Sequence, residues 1–337
     1  MLQVQARGGA NIDDFKCFSE ILATVPKPAE HEVLVRVRAA SVNPVDSKIR
    51  MRTPDSVQIV LGYDTCGVIE KVGEGVTTFK KGDSVFFMGQ AKYPGSFSEY
   101  QLADSRTIAF APQSLSDAET AVLPVASITS YESLFIRLGF TPAANANNGK
   151  TLLIIGGAGG VGSMAIQLAK WSGFTVVATA SRDETAEWCT DLGADYVLNH
   201  HKDLAEQLRE LDKQWVDAIF CTTHFSDHWG TMAELIKPQG NIAIIDDPTE
   251  RVDIRLFKTK SVRICWEFAL TRTMYETDDL KMLAIILTQI AELVDTKKLR
   301  SPLTETHYGL NAKNVQLAHQ KQESNTMVGK QAIVIKR

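Results

Sequence analysis

A run of glycines in the middle of the chain has the spacing of a phosphate-binding turn. Gly157, Gly159 and Gly162 form a GxGxxG pattern, with Gly160 and Val161 directly before the third glycine. Glycine dihedrals allow the tight turn, and the missing side chains let the backbone approach a pyrophosphate closely. The free N–H groups of a following helix then hold the phosphate oxygens. The pattern predicts a dinucleotide site; the alternative is a glycine-rich turn without a ligand.

The residues after the next strand bear on which nicotinamide cofactor is bound. An NAD-binding unit usually carries an acid about 20 residues past the first glycine, where it binds the ribose hydroxyls. This chain has Ser181 and Arg182 there, followed by Asp183 and Glu184. Arg182 can pair with a 2′-phosphate through a charge-assisted hydrogen bond, while the two acids oppose that charge. We therefore expect NADPH to be preferred; the alternative is that Arg182 is a solvated surface residue.

Alternating strands and helices must position this turn. Thr151–Ile155 predicts a buried strand, residues 163–171 a helix and Thr175–Ala180 a second buried strand. Strand, helix and strand in about 30 residues make a βαβ unit, which implies a parallel sheet. The alternation then continues with predicted strands at Val216–Cys221 and Asn241–Ile245 and a predicted helix at Gly230–Ile236.

The two ends of the chain follow a different pattern. Residues 1–110 predict short strands and turns, including Glu32–Ala39 and Gly67–Gly73. A long amphipathic helix is predicted over Asp278–Val294, with Asp278 and Asp279 near its start, where the helix dipole favours acids. Gln331–Ile335 predicts a last strand. Because such a strand often rejoins an earlier sheet, we expect the C-terminus to return to the first domain.

Composition excludes several classes of protein. A chain of 337 residues suggests about two domains. The net charge of -4 gives no basic field for nucleic acid, and no apolar run approaches the roughly 20 residues of a membrane helix. Five scattered cysteines without a CxxC pair fit a reducing cytoplasm and argue against a structural zinc site. We expect a cytoplasmic protein with a small-molecule substrate and no nucleic-acid or membrane partner.

The motifs together resemble the medium-chain dehydrogenase/reductase superfamily over nearly the whole length. They are ASVNPVD at 40–46, LGYD at 61–64 leading into GVIEKVGEGV, KGDSVF, GSFSEY, AVLPVASITSYESL, GGAGGVG, LGADYVLNH at 192–200 and the closing VGK at 328–330. The segments WEF at 266–268, CTTH at 221–224 and IDDP at 245–248 are similar to a bacterial branch. That branch is called zinc-type alcohol dehydrogenase-like and stands beside the quinone oxidoreductases.

The resemblance implies an α/β fold with a split first domain. Residues 1–120 and 262–337 are expected to form a β-rich, GroES-like catalytic domain. Residues 121–261 are expected to form a Rossmann domain, a doubly wound parallel sheet that binds NADP. The family also implies an active site in the cleft between the domains and a homodimer through the edge of the Rossmann sheet.

The same resemblance implies site residues. Zinc-dependent relatives have a cysteine where this chain has Asn43 and a histidine where it has Tyr63, so two expected ligands are missing and we expect no metal. Asn43, Tyr63 and Thr129 match family positions near the nicotinamide and are candidate hydrogen-bond donors for catalysis. The alternatives are a packing role for Tyr63 and a turn role for Asn43. Thr222 and Lys330, the latter at the closing Gly-Lys position, are expected to contribute to cofactor binding.

These inferences predict a zinc-independent, NADPH-dependent oxidoreductase that transfers hydride to a quinone or an α,β-unsaturated carbonyl. Conjugation in such acceptors spreads the developing charge, so protein donors need only hydrogen-bond the oxygen. One alternative is a zinc-containing alcohol dehydrogenase, as the name of the branch suggests. Another is a non-catalytic nucleotide-dependent sensor or RNA-binding protein on the same fold.

His224 and His228, four residues apart, could share a helix face, although loop positions are favoured for both.

Overall fold

The chain is organised in two compact units. The computed structural model describes residues 1–335. The first unit is Met1–Ile128 together with the chain from Leu270 onward, and the second unit is Thr129–Ala269. The first unit is therefore split in sequence, and both of its boundaries lie somewhat further along the chain than the expected 120/121 and 261/262.

Strands and helices are numbered in chain order. The strands are β1 Leu2–Arg7, β2 Phe18–Leu22, β3 Glu32–Ser41, β4 Gln58–Ile59, β5 Asp64–Val72, β6 Ser84–Met88, β7 Tyr100–Asp104, β8 Ala109–Phe110, β9 Thr151–Ile155, β10 Thr175–Thr179, β11 Tyr196–Leu198, β12 Val216–Cys221, β13 Ile236–Ile244, β14 Arg263–Trp266, β15 Leu303–Tyr308 and β16 Lys330–Val334. The helices are α1 Pro44–Arg52, α2 Asp117–Ala121, α3 Pro124–Tyr131, α4 Gly160–Trp171, α5 Asp183–Asp191, α6 Leu204–Glu210, α7 Trp229–Leu235, α8 Thr271–Tyr275, α9 Met282–Asp295 and α10 Ala312–Glu323. A π-helix at Glu132–Arg137 follows α3, and a 3-10 helix lies at Ile254–Lys260.

The second unit is built on a six-stranded parallel sheet. Its strand order is β11-β10-β9-β12-β13-β14, which is the order of a Rossmann fold, and every pairing is parallel. The central strand β9 is buried along its whole length because helices cover both faces of such a sheet. Strand order reverses next to β9, and this places the glycine-rich turn at the point where such sheets bind ligands.

The predicted elements of this unit agree closely with the structure. The first helix, α4, begins at Gly160 rather than at residue 163, so its first turn belongs to the glycine run itself. It ends at Trp171, and Gly173 follows with a φ of +98°, which makes it the predicted helix stop. Strand β13 begins at Ile236, five residues before its predicted start, directly after α7.

The first unit holds two further sheets. A seven-stranded sheet has the order β15-β16-β3-β5-β6-β8, with β7 also paired to β3, and a three-stranded sheet has the order β2-β1-β4. The C-terminal strand β16 pairs antiparallel with β3 and parallel with β15. The last strand therefore does return to the first unit, as its sequence predicts.

The long amphipathic helix begins later than the sequence predicts. Helix α9 starts at Met282, so Asp278 and Asp279 lie before it rather than in its first turn. Asp279 instead accepts a hydrogen bond from the Thr277 hydroxyl at 2.6 Å and pairs with Arg272 at 2.9 Å. These local bonds hold the acid outside the helix, so the prediction for its start was wrong.

A buried ion pair fastens α10 to α1, the helix that begins beside Asn43. Arg50 on α1 is fully buried and bonds both carboxylate oxygens of Glu323 at the end of α10, at 2.7 and 2.8 Å. Ser47 also donates to Glu323, at 2.8 Å. Partial burial raises the pKa of Glu323, but hydrogen bonds with His319, Arg50 and Ser47 outweigh this effect and lower the pKa to about 2. Within the described part of the chain, no helix is long and apolar enough to cross a membrane.

Glu323→Gln tests how strongly this pair holds the first unit together. The variant leaves Arg50 buried beside a neutral amide, which should cost about 3 kcal/mol of unfolding free energy at pH 7. Because the folded pKa lies below the usual 4.5, the carboxylate stabilises above about pH 4.5 and loses its contribution as the pH falls toward 2. The difference between the two proteins in denaturant unfolding should therefore shrink on acidification.

Glu276→Gln is the matched control, since Glu276 forms an exposed pair with Lys92 in the same unit. Its effect should stay within about 0.5 kcal/mol at every pH. Equal stability losses in the two variants would show that the Arg50 pair does not anchor α10.

Candidate active site

The glycine-rich turn leaves no space for side chains at two of its positions, Gly156 and Gly162. A Cβ at Gly162 would lie 2.2 Å from the carbonyl oxygen of Gly156 and 2.6 Å from that of Gly157. Gly156 has a φ of +85°, and a Cβ there would lie 2.4 Å from the Thr222 hydroxyl oxygen. The turn therefore requires glycine at these positions, and the backbone remains open to a close ligand.

Helix α4 presents its N-terminus at this turn. Its N-cap is Gly159, which has no side chain that could occupy the first N–H groups. Thr222, after β12, donates its hydroxyl to the carbonyl oxygens of Ile155 at 2.8 Å and Gly156 at 3.2 Å and so braces the turn. Ser163 accepts a hydrogen bond from the indole of Trp188 at 2.9 Å, which ties α4 to α5. This arrangement fits the pyrophosphate of a nicotinamide dinucleotide.

The end of β10 explains the acids that follow Arg182. Ser181 is half-buried and Arg182 is exposed, while α5 begins at Asp183. Asp183 and Glu184 thus form the first turn of a helix, where the dipole stabilises acidic side chains. Thr185 closes this turn by accepting from the Arg182 N–H at 3.1 Å and donating to its carbonyl at 2.7 Å. The start of α5 therefore explains the presence of Asp183 and Glu184, independently of the cofactor.

Asn43 begins α1 in a buried polar cluster of the first unit. Asp46 accepts from the backbone N–H groups of Asn43 and Gly62, both at 2.8 Å. Asp64 accepts from the Asn43 side-chain amide at 2.8 Å and from the Val125 N–H at 2.7 Å. Asp46 and Asp64 are fully buried, and desolvation raises the pKa of Asp46 to about 7.

Lys330 supplies the positive charge of this cluster. Its ammonium group pairs with Asp64 at 2.9 Å and donates to the side-chain oxygen of Asn43 and to the carbonyl of Val42, the last at 3.4 Å. Only 4% of the residue is exposed. The sequence reasoning assigned Lys330 to the cofactor; the structure surrounds it with groups of the catalytic unit.

Tyr63 stands in the chain between two residues of this cluster, Gly62, whose N–H bonds Asp46, and Asp64. Gly62 precedes it with a φ of +109°, and a Cβ at Gly62 would lie 2.3 Å from the Ser96 hydroxyl oxygen. Burial raises the pKa of the Tyr63 phenol, and the nearby charge of Asp46 adds to the effect. The phenol is therefore neutral at ordinary pH and can donate a hydrogen bond. Within the described residues, its hydroxyl group forms no hydrogen bond, so that bond is open to a ligand.

Thr129 is buried in α3, at the start of the second unit. It is thus held by a helix rather than by a loop. The structure brings Asn43 and Lys330 into direct contact, and Tyr63 directly precedes Asp64 of the same cluster in the chain. Asp46 and Asp64, which complete the cluster, were not among the predicted site residues. Their signal in the sequence is the position of each acid just after a candidate donor, in NPVD and GYD.

The residues at the zinc-ligand positions do not fit a zinc ion. The side-chain oxygen of Asn43 already accepts a hydrogen bond from an ammonium group, which would repel a second cation. Tyr63 does not supply a phenolate, because its pKa is raised. Among residues 1–335, no group of three or more His, Cys, Asp or Glu side chains is arranged to hold a metal ion.

The histidines of the second unit lie in loops. His224 has a φ of +48°, and α7 begins only at Trp229, so His224 and His228 do not share a helix face. The ring of His200 lies 4.7 Å from that of His201 and 6.4 Å from that of His228. Burial lowers the pKa values of His200 and His228, so both are mainly neutral at pH 7. The favoured loop interpretation agrees with this geometry.

Comparisons with known proteins match both units. Residues 29–113 match the family described as "Alcohol dehydrogenase GroES-like domain", and residues 160–284 match "Zinc-binding dehydrogenase". A "Zinc-type alcohol dehydrogenase-like protein" of Staphylococcus epidermidis is 41% identical over all of both chains. The chloroplastic "NADPH-dependent alkenal/one oxidoreductase" of Arabidopsis thaliana is 37% identical, over 62% of this chain and 54% of its own length.

Solved structures show the same relationship. A protein of Rhizobium etli CFN 42, named after zinc-dependent alcohol dehydrogenases, matches with a TM-score of 0.94 and 42% identity, covering 100% of this chain and 98% of its own. The quinone oxidoreductase of Coxiella burnetii matches with a TM-score of 0.81 and 26% identity, covering 100% and 99%. The chain therefore belongs to the medium-chain dehydrogenase/reductase superfamily and is an oxidoreductase that uses a nicotinamide cofactor.

Proposed function

We propose that this oxidoreductase is a zinc-independent, NADPH-dependent reductase of quinones or α,β-unsaturated carbonyls. The observation that carries the proposal is the environment of Tyr63 and Asn43. Both side chains are buried, and the cation beside Asn43 is the ammonium group of Lys330. Such a site supplies hydrogen-bond donors for a carbonyl oxygen without ligands for a metal.

The donors suit an acceptor whose own conjugation spreads charge. When bound, NADPH would supply a hydride to the acceptor, whose displaced electron pair would move onto its carbonyl oxygen. Tyr63 donates a hydrogen bond to that oxygen as the charge develops. Because its pKa is raised, the phenol keeps its proton, and the proton that completes the reduction comes from solvent. A simple alcohol lacks this conjugation and would need a metal to acidify its hydroxyl group.

Two relatives support the choice of acceptor. The Arabidopsis relative is named for alkenals and alkenones and for NADPH, and the Coxiella structure is named a quinone oxidoreductase. The Staphylococcus and Rhizobium proteins carry zinc in their names. The zinc alternative would need ligands that Asn43 and Tyr63 do not supply.

The cofactor contacts remain proposals of the same kind. We assign the pyrophosphate to the turn and the start of α4 and the 2′-phosphate to the end of β10. The residues are Gly157, Gly159, Gly160, Val161 and Gly162 for the former, Ser181 and Arg182 for the latter, with Thr222 bracing the turn. Thr129 is proposed to lie near the cofactor amide or the substrate oxygen. A homodimer through the edge of the Rossmann sheet likewise remains a prediction.

Tyr63→Phe tests the proposed donor. Loss of the hydroxyl group should lower turnover of quinones and enones about 10-fold to 1000-fold, because one hydrogen bond to the developing oxyanion is lost. Steady-state kinetics with several acceptors measures this, and Tyr308→Phe, an exposed tyrosine of the same unit, is the control. Unchanged turnover in Tyr63→Phe would remove Tyr63 from the mechanism.

Metal analysis of purified, tag-free protein tests zinc independence. We expect well under one zinc per chain and activity that survives treatment with chelators, because the donors at positions 43 and 63 do not fit zinc. Stoichiometric zinc that survives dialysis, with activity lost to chelators, would instead support an alcohol dehydrogenase. Cofactor binding without turnover of any quinone or enone would favour the non-catalytic sensor.

The preference for NADPH depends on the end of β10. A charge-assisted bond from Arg182 to the 2′-phosphate contributes about 1.5–3 kcal/mol, so we expect roughly a 10-fold to 150-fold preference in kcat/KM. Arg182→Ala should remove most of it, whereas Arg209→Ala, an exposed arginine paired with Glu234, should not. Equal efficiency of wild type with both cofactors would refute the preference. A preference that survives in Arg182→Ala would refute only the choice of residue.

A further inference from the structure

The hydrogen-bond capacity of Lys330 is fully used inside the first unit. An ammonium group has three N–H donors and no acceptor. Those of Lys330 face three oxygen atoms, of Val42, Asn43 and Asp64. No donor is left for a cofactor phosphate, and the residue is almost completely buried. Lys330 therefore acts on its neighbours within the cluster.

The neighbour most affected is the side-chain amide of Asn43. Lys330 can only donate, so the amide oxygen must face it; Asp64 can only accept while ionised, so the amide nitrogen must face Asp64. Turning the amide by 180° would set N–H groups against an ammonium and an oxygen against a carboxylate. The Lys330–Asp64 pair thus selects one of two orientations of nearly identical shape.

This orientation leaves one donor uncommitted. One of the two N–H groups of Asn43 bonds Asp64, and the bonds among the described residues leave the second without a partner. The backbone of Asn43 is also held, since Asp46 accepts from its N–H and from that of Gly62, which precedes Tyr63. Asn43 therefore has a fixed backbone, a fixed amide plane and a single available N–H.

We propose that Lys330 is a positioning residue, which keeps the free N–H group of Asn43 directed at the carbonyl oxygen of the acceptor. This inference rests on the proposed reduction of quinones or enones. It assigns Lys330 an effect on the rate of reduction through Asn43, in place of a contact with the cofactor.

The alternative role of Lys330 is to balance the buried charge of Asp64. A double substitution distinguishes this role from the positioning role. Lys330→Met leaves Asp64 buried without its counterion, so this variant alone should be less stable. Lys330→Met with Asp64→Asn removes both charges and should restore the unfolding temperature. The amide at position 64 would accept from the Val125 N–H through its oxygen and present its NH2 group to Asn43, so it would no longer hold the amide nitrogen of Asn43 in place.

The double variant should fold like wild type, bind NADPH with an unchanged Kd and have a kcat about 10-fold to 100-fold lower, with little change in KM. Lys330→Arg, which keeps a donor-only cation, should recover part of the rate. The control Lys81→Met removes the exposed partner of Glu70 in the same unit and should leave kcat unchanged. Full recovery of kcat in the double variant would overturn the proposal in favour of charge balance. A raised Kd for NADPH with unchanged kcat would instead return Lys330 to the cofactor site.

A measurement that does not depend on turnover distinguishes failure of this inference from failure of the proposed function. The side-chain amide signal of Asn43 in ¹⁵N NMR is identified by its loss in Asn43→Asp. Its bonded proton should exchange slowly with water in wild type and at least 10-fold faster in the double variant. Slow exchange in both proteins would refute the positioning role even if the protein reduces enones. If the exchange difference is found but the protein reduces no quinone or enone, only the proposed function is refuted.

Discussion

The first unit depends on a small number of charges that are closed off from water. Asp46 and Asp64 are fully buried and Lys330 nearly so, and removing one partner of such a pair typically costs 3–5 kcal/mol. The three residues come from α1, β5 and β16. The pair between Asp64 and Lys330 therefore also helps to hold the C-terminal strand β16 in the seven-stranded sheet, which contains β3 and β5. A zinc ion would add a further positive charge beside Asn43.

The second unit differs, because its candidate ligand site is formed mainly by backbone groups. The turn after β9 brings carbonyl oxygens so close to Gly162 that no side chain fits there. The result is an uncapped helix start at Gly160, with N–H groups that can serve an anion. The hydroxyl group of Thr222 braces this turn from the neighbouring strand β12. Shape, rather than side-chain charge, makes this site suitable for a pyrophosphate.

Relatives named for zinc share this architecture, and the difference lies in the donor atoms. The GroES-like model matches within the first unit, and the zinc-binding dehydrogenase model matches mainly within the second. Fold similarity does not transfer a metal site, which depends on two or three specific side chains. At positions 43 and 63 those side chains are an amide bonded to an ammonium group and a neutral phenol.

Local sequence was sufficient for the centre of the second unit, since its signals are short-range, whereas β11, β14, α5 and α6 were not among the predicted elements. The glycine spacing, the buried run of β9 and the stop at Gly173 each depend on a few neighbouring residues. The return of β16 to the first unit was also predicted, from its strand-like sequence, but its pairing with β3 was not. The start of α9 was not, because the bonds that hold Asp279 outside the helix come from Arg272 and Thr277.

The buried cluster could be decided only by tertiary structure. Asn43, Tyr63 and Lys330 were recognisable by position, but their sequence separation hides that Lys330 lies against Asn43. Burial of Asp46 and Asp64 depends on packing among α1, β5 and β16, which no local pattern encodes. The sequence thus determined which residue types stand at the site. The folded chain determined which hydrogen bonds they have already used, because the partners come from distant segments.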